Sequence, residues 1–160
     1  MLQHKNSPMK QLNKPSDNMG GLLKIWAVPP SEITIGINSV SFSTTDNIVE
    51  MYCSPGSMLF NEKETLSTAG TIYKTEIGGF APKDSAEAQS IILGMTGRKW
   101  VVIVTDQNEQ YKVAGTPTNP LRIKFDLATG SDTHERNGHA VLFYGDQIWK
   151  ARFIENPFTV

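Results

Sequence analysis

The sequence predicts a mainly β fold with one α-helix, in the form of a β-barrel or sandwich of about eight or nine strands flanked by that helix. Short segments rich in β-branched and aromatic residues recur along the chain, and such residues favour strands. Glycine, proline, asparagine and aspartate separate these segments at intervals typical of all-β domains. Apolar residues at helical spacing occur in a single convincing segment.

The first half of the chain contains several short predicted strands. The first covers residues 22–28 and stops at two prolines, which cannot donate to a β-ladder. In the next, apolar positions alternate and then change parity after Asn38, so we expect a tight turn or a bulge there. Further strands cover residues 48–53 and 71–77. Residues 54–70 are then left as a long connection, a kind of segment that is often functional.

One helix is predicted between these strands and the second half of the chain. Asp84 is a suitable N-cap, and Glu87 three residues later completes a capping-box arrangement. Gly97 is a suitable residue to end the helix. We expect one apolar face to pack on the sheet. That face consists of Ala88, Ile91, Ile92 and Met95.

The second half of the chain is predicted to contain the best-defined strands. Residues 100–104 form a continuous apolar run, which is typical of a strand buried on both faces, one of them under the helix. Residues 111–114 return as its hairpin partner. Apolar and charged residues alternate over residues 121–127, as in a half-buried strand. Residues 140–144 and 149–154 are expected to form a last hairpin. Its inward-facing residues would be Trp149, Ala151 and Phe153.

The N-terminal segment differs in composition from the rest of the chain. Residues 1–21 are polar, contain two prolines and end in Gly20 and Gly21. We expect a flexible arm preceding a single β-rich domain over residues 22–160, with ordering against a neighbouring subunit as the alternative. No apolar stretch resembles a signal peptide or approaches the ~20 residues that span a membrane, so we expect cytoplasmic synthesis and no membrane partner.

Charge and motif content argue against several classes of protein. Lys and Arg number 15 against 16 Asp and Glu, a net charge of -1, whereas a nucleic-acid binder usually carries a basic excess. The single cysteine, Cys53, excludes an internal disulfide and is expected to be a small buried hydrophobe. No nucleophile elbow, phosphate loop or dinucleotide fingerprint is present, so we expect no enzymatic activity and no cofactor.

One polar loop is a candidate metal site, and the sequence does not decide whether it binds a metal. The loop contains the ligand types that zinc accepts, but their spacing matches no established zinc pattern, and a solvated turn explains them equally well. Whether His134 and His139 bind a metal is therefore undecided, and we assign no metal ligand. The residues concerned are Asp132, His134, Glu135 and His139.

The outward-facing cations and the three tryptophans are interpreted as structural residues and not as binding residues. Five cations on outward-facing strand positions are able to meet an acidic partner, but protection of strand edges and solubility account for them better. These cations are Lys112, Arg122, Lys124, Lys150 and Arg152. The three tryptophans are able to stack on sugar rings, but their strand positions favour core packing. They are Trp26, Trp100 and Trp149.

The most informative anomaly is an apolar triplet inside the long connection of residues 54–70. Met58, Leu59 and Phe60 lie between Pro55-Gly56 and a charged run, where three consecutive apolar side chains should not face water. They either fold back on their own domain or insert into another chain. The second alternative makes them a candidate subunit interface in an assembly.

Several segments of the second half of the chain carry a resemblance to known proteins. They lie in residues 73–130, which include KWVVIVTDQN, YKVAGT and NPLRIKFD, and in the following RNGHAVLFYGD. This part of the chain resembles prophage-encoded virion or tail proteins of Bacteroides-type bacteria. The order of elements is similar to phage tail-tube proteins and to the haemolysin-coregulated tube protein of secretion systems. This resemblance implies a small barrel flanked by a helix that stacks into rings. It also implies that the loop at Met58–Phe60 and the arm before Leu22 bridge subunits.

The sequence thus leads to one functional hypothesis with alternatives. The first is a non-enzymatic tube-type tail subunit that self-associates or contacts other tail proteins in a virion or phage-like particle. A head–tail adaptor is a variant of it. The alternatives are a small carbohydrate- or ligand-binding β module that uses exposed aromatics, and a hydrolase or metal protein built around His134 and His139.

Overall fold

The computed structural model describes residues 20–82, 84–128, 131 and 137–158; residues 1–19 of the predicted arm lie outside this range. The described part is mainly β with one α-helix, as predicted. In chain order its elements are β1 (Leu22–Val28), a 3-10 turn (Pro30–Glu32), β2 (Ile33–Ile35), β3 (Val40–Phe42), β4 (Val49–Met51), β5 (Leu59–Ser67), β6 (Gly70–Pro82), α1 (Ala86–Met95), β7 (Lys99–Asp106), β8 (Tyr111–Ala114), β9 (Leu121–Ala128), β10 (Gly138–Gln147) and β11 (Arg152–Ile154).

Nine strands form one antiparallel sheet, and β2 and β3 form a separate hairpin. The sheet runs in the order β11-β8-β7-β9-β10-β6-β5, with β1 along β7 and β4 along β1. Strand β7 pairs with β1 through residues 101–106, with β8 through residues 102–105, and with β9 through Lys99 and Trp100. Because β5 and β11, the two ends of this order, do not pair with each other, the sheet is open and the predicted barrel is not confirmed.

The main core lies between the two halves of this sheet. Ala27 of β1 and Val102 of β7 belong to the same buried cluster as Ile77 of β6 and Phe143 of β10, and all four are fully buried. Burying a side chain such as Phe143 contributes about 1.5–3 kcal/mol to folding. The two halves therefore stabilise each other across a shared apolar layer.

A second core covers the other face of β1 and β7. Trp26 and Ile103 pack there with Ile33 of the β2–β3 hairpin. The ring centroids of Trp26 and Phe158 are 4.5 Å apart. The apolar run of β7 is thus buried on both faces, as its sequence predicts. The hairpin, and not the helix, covers this second face.

The helix differs from its prediction in its cap and in its packing. Ser85, not Asp84, is the N-cap: it has extended backbone geometry, and its hydroxyl accepts a hydrogen bond from Ala88 N at 3.1 Å. Gly97 follows the helix with a φ of 77°, as a terminating glycine should. Met95 is buried, whereas Ile91 is 47% exposed, so the C-terminal end of the helix makes the main contact with the core.

Two predicted chain segments are corrected by the strand pairing. Residues 54–70 are not a structureless connection, because β5 pairs with β6 from Leu59↔Gly78 to Ser67↔Gly70. The expected last hairpin is also wrong. Strand β10 continues through Gly145-Asp146 and pairs with β6 and β9, whereas β11 pairs with β8. The long β6 supplies the reason, because it offers partners as far as Tyr73↔Gln147.

Candidate functional site

The apolar triplet proposed as a subunit interface divides between the core and the surface. Met58 is 8% exposed and belongs to the main core, where it lies against Gly79. Phe60 is partly buried against the same core. Leu59 is 43% exposed. Two of the three side chains therefore fold back on their own chain, and Leu59 is the one that a partner is able to reach.

Side chains, and not backbone pairing, connect the two ends of the open sheet. Glu62 of β5 accepts a hydrogen bond from the backbone N–H of Ala151 at 2.8 Å, just before β11. Its side chain is 11% exposed, and Lys150 Nζ lies 3.9 Å from its other oxygen. The ammonium of Lys112 lies 5.2 Å from the Phe60 ring and 4.5 Å from the Phe153 ring, within the range of cation–π attraction. We call these contacts the β5–β11 seam.

The β5–β6 hairpin extends beyond the rest of its sheet. Strand β10 pairs with β6 only as far as Tyr73, whereas β5 and β6 continue to pair up to Ser67↔Gly70. The last three pairs span roughly 10 Å at the usual rise per residue. Leu66 lies in this extension and is 78% exposed. The extension is thus a protruding β-ribbon that carries an apolar side chain in water.

Trp149 lies on the surface and not in the core. Trp26 and Trp100 are 8% and 4% exposed, as predicted, but Trp149 is 63% exposed. It lines a cleft of about 450 Å³ between β2, the β8–β9 connection and the residues preceding β11. Phe153, also predicted to face inward, is 58% exposed. The alternation of Trp149 and Phe153 is therefore not a core signal.

The candidate metal ligands are only partly within the described residues. Asp132, His134 and Glu135 fall outside them. His139 is 6% exposed, packs edge-on against Phe125 at 6.4 Å and has its Nε2 3.9 Å from an oxygen of Asp84. Within the described part of the chain, no three metal-type side chains come together.

The five outward-facing cations do not form one surface. Lys112 and Arg152 lie on the neighbouring strands β8 and β11, while Arg122 and Lys124 lie on β9. Lys124 is 3.9 Å from Asp126 in an exposed pair, a distance and setting at which an ion pair contributes little. The cations therefore divide between β9 and the β8–β11 region, where Lys150 lies near Arg152.

Cys53 has the role of a small core residue. It is 4% exposed and belongs to the main core cluster, as predicted. Burial raises the pKa of its thiol from 9.0 to about 11. The nucleophilic thiolate is thus suppressed at neutral pH.

Of two side chains with distinctive surroundings, Glu62 was not singled out from the sequence, and Trp149 was considered for sugar stacking but assigned to the core. Glu62 stands in a charged run, and nothing in that run marks it as the residue that turns inward. Glu62 is two residues from Phe60, and alternate residues of a strand share a face. This spacing is the one feature of the sequence that indicates an inward-facing Glu62. Trp149 has apolar neighbours in sequence, but it lies in a bend between β10 and β11 and not in a strand.

Comparison with protein-family models, with curated proteins and with solved structures finds no match for this chain. In the described part, no helix is long and apolar enough to cross a membrane; α1 has ten residues.

Proposed function

We propose that this chain is a non-enzymatic structural subunit of a phage or phage-like tail, of the tube type, that self-associates into rings. The observation that carries the proposal is the backbone edge of β5 that no other described strand pairs with, of which residues 63–67 lie outside the β5–β11 seam. This strand has nine residues and pairs with β6 on one side, and no other described strand pairs with its second side. A free edge of this length is a template for pairing with another chain.

The protruding β-ribbon supports the same assignment. Its Leu66, and Leu59 at the other end of β5, are both exposed apolar side chains, on opposite faces of the strand. Burying such side chains in a neighbouring subunit would remove them from water at a gain of about 25 cal/mol per Å². The exposed charged residues between them, Lys63 and Glu64, limit indiscriminate pairing and favour a partner with matching charges.

A ring fits these features because contact between two different surfaces repeats from each subunit to the next. The subunits close into a ring when each contact rotates the next subunit by a whole-number fraction of a full turn. Strand β5 of one copy would pair through residues 63–67 with a strand of the next, so that the sheet continues from one subunit to the next while the β5–β11 seam stays in place. The tail identity rests on the resemblance of residues 73–130 to prophage tail proteins. A virion or phage-like particle is then the place of action.

The test is molar mass by light scattering over a concentration series, with electron microscopy of the same samples. We expect a defined oligomer for the native sequence and its loss in Leu66→Asp. Leu93→Asp is the matched control, since Leu93 is 68% exposed but lies on α1, away from β5.

Two results would contradict this proposal. One is a monomer at every concentration, and the other is an equal effect of the two substitutions. Stacked rings or tubes in the micrographs would favour a tube subunit, and single rings that do not stack would favour a head–tail adaptor.

A further inference from the structure

We infer that the cleft beside Trp149 binds an acidic saccharide, meaning a sugar ring that carries a carboxylate. This inference is independent of the assembly proposal, because the cleft lies at β2, the β8–β9 connection and the residues before β11, and none of its lining residues belongs to β5. Its volume of about 450 Å³ is within the range of pockets that hold small ligands.

The aromatic component of the site is Trp149. This indole is 63% exposed, while the other two tryptophans of the chain are buried in the cores. Tryptophan combines a large apolar ring with a hydrogen-bond donor, and it is enriched where one side of the ring meets a partner. The apolar face of a sugar ring is a partner of suitable shape, because the sugar ring stacks on an aromatic ring with its axial C–H bonds pointing at the aromatic face.

The charge of the lining selects an anion. Lys150 and Arg152 line the cleft, and no aspartate or glutamate is among its described lining residues. Among the described residues Arg152 forms no ion pair, and Lys150 is 69% exposed with its nearest carboxylate at 3.9 Å. A guanidinium binds a carboxylate through two parallel hydrogen bonds, so Arg152 is the residue assigned to the acidic group of the ligand.

Polar groups of the lining match the hydroxyls of a sugar. Thr34 and Thr116 contribute hydroxyls, and Gln147 contributes an amide. Gln147 is 5% exposed, and its Nε2 donates to the carbonyl of Asn119 at 3.1 Å, which fixes the orientation of the amide. An aromatic ring, two cations and fixed hydrogen-bonding groups in one cleft favour a polyhydroxylated anion over a purely apolar ligand.

The experiment is isothermal titration calorimetry of the full chain with a digalacturonate, and with the neutral disaccharide of galactose as the matched ligand. We expect digalacturonate to bind at least ~10-fold more tightly than the neutral sugar, because its carboxylate gains a charge-assisted hydrogen bond. Arg152→Gln should remove most of this preference, and Trp149→Ala should weaken both sugars. Both side chains are exposed, and circular dichroism checks that the variants fold.

Arg122→Gln is the control variant, because Arg122 is an exposed arginine of β9 that does not line this cleft. Its affinity for digalacturonate should equal that of the native sequence. The inference is overturned if digalacturonate does not bind at millimolar concentration, if it binds no better than the neutral sugar, or if Arg122→Gln weakens it as much as Arg152→Gln. Tighter binding of a single-stranded oligonucleotide than of digalacturonate would also overturn it.

Discussion

Glu62 accepts a hydrogen bond from the backbone N–H of Ala151 at 2.8 Å, and in doing so it joins β5 to the residues that lead into β11. These are the two ends of the strand order, which backbone pairing leaves apart. Lys112, between the rings of Phe60 and Phe153, completes the β5–β11 seam. Side chains therefore hold this part of the molecule where a closed barrel would have a ladder of backbone hydrogen bonds.

Removing the Glu62 carboxylate should destabilise the fold. Glu62→Ala leaves the Ala151 N–H without its acceptor, and a hydrogen bond to a charged group is worth about 1.5–3 kcal/mol. We expect a loss of that size in the free energy of urea unfolding. Glu64→Ala, an exposed glutamate on the same strand, should change it by less than about 0.5 kcal/mol. Equal effects of the two substitutions would show that the seam contributes nothing.

Two glycines should respond to alanine with opposite signs. At Gly79 a new Cβ would lie 2.8 Å from Cys53 Sγ and 3.0 Å from Met58 Cγ, so Gly79→Ala should destabilise the protein by about 1–3 kcal/mol. At Gly94 in α1 nothing lies within 4 Å of a new Cβ. Gly94→Ala should therefore raise stability by about 0.5–1 kcal/mol, because glycine costs helix entropy. Thermal unfolding measures both, and the same sign for both would contradict the packing described.

The helix N-cap is testable by one pair of substitutions. Ser85→Ala removes the acceptor for Ala88 N and should cost about 1 kcal/mol of stability. Asp84→Ala should cost less, because Asp84 makes no capping hydrogen bond to α1 and lies 3.9 Å from His139. A larger loss for Asp84→Ala in chemical denaturation would restore Asp84 as the cap.

Burial of Cys53 should make stability depend on alkaline pH. The folded thiol has a pKa of about 11 against 9.0 for the ordinary thiol. Between these values the unfolded chain has lost the proton that the folded chain retains, so rising pH favours unfolding. The slope from this group approaches about 1.4 kcal/mol per pH unit, and the contribution is constant below pH 9.

Cys53→Ala isolates this effect from other groups that titrate at alkaline pH. The difference in unfolding free energy between the native sequence and Cys53→Ala should shrink as pH rises from 9 to 11. Urea unfolding at several pH values measures it. A difference that stays constant over this range would show that the Cys53 thiol titrates alike in both states.

Strands that are buried on both faces were predicted well from the sequence. Residues 100–104 form an apolar run because β7 is covered by the main core and by the β2–β3 hairpin, and such burial is visible in composition. Strand β5 was missed because its central residues are polar on both faces. Its pairing with β6, in a hairpin that turns between Ser67 and Gly70, makes it a strand, and this polar segment has no apolar alternation that would reveal the pairing.

The candidate site was predicted less completely, for a related reason. Alternation of Trp149 and Phe153 predicts one strand over residues 149–154, but only Arg152–Ile154 is a strand and Trp149 lies in a bend before it. Alternation also does not reveal which face of β11 is covered, and Phe153 stays exposed. Met58 shows the reverse: an apolar side chain in an apparent loop lies in the core, because β5 begins immediately after it and folds over Gly79.

Hydrogen–deuterium exchange of β5 tests the proposed assembly most directly. In an antiparallel edge strand, alternate amides have no strand partner, so those of residues 59–67 on the free side should exchange rapidly in dilute protein. In concentrated, assembled protein the same amides should exchange more slowly, while those of α1, residues 86–95, should not change. Oligomers that form without added protection in residues 59–67, or with equal protection in α1, would contradict assembly through the β5 edge.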